Sequence, residues 1–105
     1  MTYSERNKLA HEFFKSGDID KAIELYELNV QIHKDCNSSL NRLLTIYRKK
    51  NDTINQKRIL KLLLVLHENQ LKIVEKSPKD KRYLFNLEKQ KLVVDFVRNT
   101  LSNLS

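Results

Sequence analysis

Apolar residues recur along this chain at helical spacing, and short polar stretches interrupt them. The first run, from Ser4 through Lys15, stops at Ser16-Gly17-Asp18. Gly17 is the only glycine and follows a helical run, which predicts a left-handed residue just past the helix end. Asp18 or Asp20 can cap a second helix, from Lys21 to about Lys34. Asp35-Cys36-Asn37-Ser38-Ser39 is polar and turn-prone, and a third helix runs from there to about Lys50. Asn51-Asp52 ends it, since asparagine is second only to glycine in tolerating a left-handed cap. A fourth helix covers roughly Ile54 to Lys76. Ser77-Pro78-Lys79-Asp80 then has the form of a helix start, and the fifth helix reaches almost to Leu104.

The last two helices carry wide apolar stripes. Tyr83, Leu87, Val94, Val97, Leu101 and Leu104 line the fifth, with Gln90 the one polar member, and Phe85, Leu92 and Phe96 are expected to widen that stripe. In the fourth, Ile59-Leu60 and Leu62 to Leu66 are apolar nearly all round, which predicts cover on both sides.

Composition points the same way. The chain has 105 residues, which suits one domain, and a single glycine and a single proline leave little material for the turns of a sheet protein. Seventeen leucines and fourteen lysines favour helix. The expected class is all-α, with about five helices.

A repeat organises the first two-thirds. Gly17-Asp18 and Asn51-Asp52 lie 34 residues apart, as do Leu9 and Leu43, Phe13 and Tyr47, and Lys15 and Lys49. The segment Leu9-Ala10, Phe13, Gly17-Asp18, Ala22-Ile23-Glu24-Leu25-Tyr26 resembles the tetratricopeptide repeat family, whose period is 34 residues. Ala10 and Ala22 fall where that family packs two helices closely, and Phe13 and Tyr26 where it uses large residues. Asn29 stands at the family's later small position and Lys34 at its proline. A second copy, Leu40, Leu43-Leu44, Tyr47 and Asn51-Asp52, is good in its first helix, but Gln56 replaces the small residue and Leu60 the aromatic. The resemblance implies TPR-like helical hairpins stacked as a short right-handed solenoid. Residues 4–34 would be repeat one, 38–76 a degenerate repeat two, and 78–104 a long capping helix, all in one domain. Stacking follows because one hairpin cannot bury its apolar face alone.

Charge narrows the partners. Lysine and arginine exceed acidic residues by seven, and residues 53–105 carry 11 basic and 5 acidic side chains, a net of +6. That suits an acidic partner, and equally a solvated surface. A role in nucleic-acid binding is the lesser expectation, because few aromatics sit among the charges. One cysteine, Cys36, excludes an internal disulfide, and no apolar run approaches the ~20 residues that span a bilayer. The expected setting is cytoplasmic, without membrane attachment.

Chemistry is sparse. His11, His33 and His67 share no ligand spacing, Cys36 has no partner for a zinc site, and one glycine cannot build a phosphate loop. The expectation is a protein without enzymatic activity, cofactor or metal. In the implied fold the first helix of each hairpin lines the inner face. That places Asn7, His11 and Phe14 on one stripe and Asn41, Thr45 and Arg48 on the next, with Lys15 and Lys49 at the rim. Amides can pair with an extended peptide's main chain, and the cations with carboxylates. The expected role is a protein-protein interaction module, an adaptor, chaperone-like or inhibitor protein, whose partner is a protein or peptide of acidic character. A homodimer through the fourth and fifth helices stays open. So do a basic nucleic-acid-associated regulator and a small immunity or anti-defence protein. The family's carboxylate clamp is not supported: Asn7 takes a lysine place, His11 an asparagine place and Arg42 another.

Overall fold

The computed structural model describes residues 1–32, 36–76 and 81–104, with side chains in the last segment from residue 85 on. It is all-α. Five helices follow in order: α1 Tyr3–Ser16, α2 Ile19–Ile32, α3 Asn37–Lys49, α4 Thr53–Glu75 and α5 Lys81–Asn103. There is no strand among the described residues. The Ser77-Pro78-Lys79-Asp80 start and the Lys34 position lie outside the described residues. The chain forms two compact units, Met1–Gln56 and Lys57–Ser105, and the boundary falls inside α4.

In the first unit α1 packs on α2, and α2 on α3. Small residues permit the close approach of α1 and α2: Ala10 and Ala22 are both fully buried. Tyr26, Leu40, Leu43 and Ile46 complete this core, each 3% exposed or less.

The turns repeat in bonding detail. Gly17 has φ 91° and Asn51 φ 55°, the two left-handed residues among those described. After each, an aspartate N–H closes the helix end: Asp18 donates to the Phe13 carbonyl at 2.9 Å and Asp52 to the Tyr47 carbonyl at 2.9 Å. Each aspartate then caps the next helix. Asp18 Oδ1 accepts from the Lys21 N–H at 3.4 Å, and Asp52 Oδ1 from the Asn55 N–H at 3.1 Å. The same turn is built twice, 34 residues apart.

A polar network fixes the start of α3. Asn29 is fully buried. It accepts from Arg6 at 2.7 Å and donates to the Tyr3 carbonyl at 3.3 Å and to Ser39 Oγ at 3.2 Å. Ser39 in turn donates to Asn7 Oδ1 at 2.9 Å. The position that the repeat would fill with a small residue therefore holds a fully partnered amide.

In the second unit Gln90 of α5 bonds α4, donating to the His67 carbonyl at 3.0 Å with His67 Nδ1 3.1 Å away. Arg98 pairs with Glu68 at 2.8 Å. Val94 and Val97 are buried, and Leu87, Leu101 and Leu104 half-buried. Phe85, Leu92 and Phe96 do not widen this stripe. They are 66–70% exposed. Residues two apart on a helix point about 200° away from each other, so Phe85 and Phe96 face opposite to Leu87 and Val94. Nor is α4 covered all round: Ile59, Leu60 and Leu63 are buried, while Leu62, Val65 and Ile73 stay exposed.

Candidate functional site

Residues of α1 and α3 flank Tyr26 of α2 in a cleft of about 210 Å³, lined by Phe14, Tyr26, Arg42, Thr45, Ile46 and Lys49. Its shape follows from the helices beneath. Phe13 and Phe14 of α1 are both half-buried, and Phe14 is the one that lines the cleft. Thr45 and Lys49 are one turn apart on α3, and Arg42 lies one turn before Ile46.

Aromatic and cationic groups order this surface. The Lys49 ammonium lies 5.2 Å over the Phe14 ring centroid, an attraction to the ring's negative face. His11 stacks on Phe14 with centroids 6.5 Å apart and planes 11° from parallel. Partial burial holds the His11 imidazole below its ordinary pKa, helped by the neighbouring charges of Arg42 and Lys15 and opposed by Glu12, so at neutral pH the ring is uncharged.

Of the eight residues expected from sequence, Phe14, Thr45 and Lys49 line the cleft, and His11 adjoins it through Phe14. Lys15 and Arg48 are exposed. Asn7 is engaged elsewhere: its amide donates to Ser38 Oγ at 3.2 Å and accepts from Ser39. Asn41 donates to the Asn37 carbonyl at 2.9 Å and to its side-chain oxygen at 3.0 Å. Both amides serve the start of α3. Thr45 Oγ also donates to the Asn41 carbonyl, at 3.1 Å, leaving its methyl and lone pairs for the cleft.

Sequence reasoning missed Tyr26 and Ile46 as cleft residues and weighed Arg42 only against a clamp pattern. Arg42 was within reach, since it falls one turn before Ile46 and Thr45 on the same helix side. Tyr26 carried no such signal, because a tyrosine at a core position is indistinguishable there from phenylalanine.

Among the described residues no three histidine, cysteine or acidic side chains gather as a metal site, and no helix is long and apolar enough to cross a membrane. No known protein family, curated protein or solved structure matches this chain.

Proposed function

We propose that this chain is a protein-protein interaction module that binds a partner peptide in the α1–α3 cleft and carries out no catalysis of its own. The observation that carries the reading is the composition of that cleft. The Phe14 ring and Ile46 offer apolar walls, and Arg42 and Lys49 add two cations with no carboxylate among the lining residues. A peptide of acidic character suits it. The tetratricopeptide-like reading of the first unit supports the same role, and the doubled Asp18 and Asp52 turns support that likeness.

The test is recovery of a partner by the tagged full chain from its native extract. Thr45→Glu places a carboxylate between the two cations on an exposed helical position, so the fold should survive. Recovery of the wild-type partner should fall at least tenfold with the helical circular dichroism unchanged. Identical recovery by both proteins, or no partner for either, sinks the reading.

A second surface favours self-association. Phe85, Leu92 and Phe96 stand at i, i+7 and i+11 on one side of α5, each about two-thirds exposed. Contiguous apolar stripes of this kind mark contact surfaces. Light scattering at two protein concentrations should show the mass rise with concentration.

A further inference from the structure

Tyr26 is 1% exposed, and its hydroxyl makes no hydrogen bond with any described residue. Buried polar groups in folded proteins are almost always paired, and one left alone destabilises the fold. Phenylalanine would serve the packing as well or better. One more buried atom of this unit shares the condition. His11 Nδ1 is buried without a hydrogen-bond partner among the described residues. Arg42, whose charge acts on both Tyr26 and His11, has no ion pair or hydrogen bond of its own there. The buried Tyr26 donor and the exposed Arg42 guanidinium thus line one cleft, whose other cation is Lys49 and which His11 adjoins through Phe14.

An anion suits the Tyr26 and Arg42 pair: it can pair with the guanidinium and accept from the phenol. The cleft's walls and size say what carries it. At about 210 Å³ it is smaller than the ~300–1,000 Å³ of small-molecule pockets. It suits one side chain. The Phe14 ring and Ile46 suit a methylene stem. We propose that the cleft is a carboxylate seat for a glutamate-type side chain of the bound peptide, with Arg42 and Lys49 as counter-charges and the Tyr26 hydroxyl as donor. This rests on the reading of the cleft as a peptide site. Arg42 and Lys49 are exposed, so both can rearrange as the carboxylate enters. Burial raises the Tyr26 phenol above its usual pKa, with Arg42 opposing, so it remains a donor at neutral pH.

Tyr26→Phe separates this role from a structural one. Removing an unpartnered hydroxyl should leave the thermal midpoint unchanged or higher. The isotope-labelled full chain is titrated by NMR with N-acetylglutamate α-amide, with the matching glutamine compound, and with N-acetylleucine, whose carboxylate is a chain end. The glutamate probe should give saturable shifts at Arg42, Thr45 and Lys49, and the glutamine probe at least fivefold weaker ones. Tyr26→Phe should weaken the glutamate probe about tenfold, the scale of one hydrogen bond to a charged group, and Arg42→Ala should abolish saturation. Equal response to glutamate and glutamine overturns the proposal. So does Tyr26→Phe that lowers the midpoint and leaves probe affinity intact, and so does tighter binding of N-acetylleucine. If the probes fail while partner recovery still depends on Thr45, this assignment alone falls. If recovery is also insensitive to Thr45→Glu, the reading of the cleft falls too.

Discussion

The two units spend their polar groups in opposite ways. Met1–Gln56 buries Asn29 and Ser39 and ties both into a network that spans α1, α2 and the start of α3. Lys57–Ser105 puts one glutamine between its two helices and, among the described residues, leaves six large apolar side chains exposed against four in the first unit. A buried network is satisfied only in one arrangement, so it specifies geometry. An apolar face accepts many partners. The first unit thus holds a defined arrangement around its cleft, and the second presents more bare apolar surface.

The sharpest way to break this contrast is to remove one amide from each unit. Asn29→Ala strips partners from Arg6, Ser39 and the Tyr3 carbonyl in a fully buried place, and should cost about 2–3 kcal/mol in urea unfolding. Gln90→Ala acts on a half-buried pair that water can reach, and should cost under ~1 kcal/mol. Equal losses would mean that the second unit depends on its polar contact as much as the first does.

How legible each unit was follows from the same difference. The turns were readable because Gly17 and Asn51 are the residues that tolerate positive φ, and each is followed by an aspartate that can cap. The helix order followed from them. The polar network was not readable. Asn7 and Asn41 looked like groove residues by spacing, and only the packing of α3's first turn shows their amides already engaged. Asn29 broke the repeat pattern without announcing that Arg6 lies 23 positions away to meet it. In α5 the apolar residues were visible but not their sides. The helix carries apolar residues on opposite faces, so periodicity could not tell the buried set from the bare one.

Acid should sharpen the comparison by a smaller amount. His67 sits below its ordinary pKa because burial disfavours the charged ring. Gln90 faces its Nδ1, and the neighbouring charges, Glu68 and Arg98, are paired with each other. The unfolded chain therefore takes up the proton first. The stability that neutral His67 contributes is complete above the unfolded pKa of about 6.5 and is lost as pH falls from there toward the lowered folded value. His11 of the first unit has the same sign. The thermal midpoint should fall between pH 7.5 and 5.5. His67→Gln should remove one part of the slope and His11→Gln the other; a slope untouched by His67→Gln would show that Gln90 tolerates the protonated ring.

The smallest expected effect on the isolated chain is the most telling about the second unit. Phe85, Leu92 and Phe96 are already 66–70% exposed, so replacing all three by serine removes little buried apolar area from the folded chain. Serine is a weaker helix former than leucine by a few tenths of a kcal/mol, and close to phenylalanine. The monomer's unfolding midpoint in dilute solution should therefore shift by less than ~1 kcal/mol in free energy. Association is another matter. Each of these side chains, once covered, contributes roughly 1.5–3 kcal/mol, and two copies of the stripe would be lost from a symmetric contact. The triple variant should hold a constant mass at concentrations where the wild type grows heavier. If its mass still rises, the contact lies elsewhere, and the exposed stripe of α4 (Leu62, Val65 and Ile73) is the next face to alter. If instead the midpoint drops by several kcal/mol, the stripe is internal to the folded chain in solution, and the second unit is as self-contained as the first.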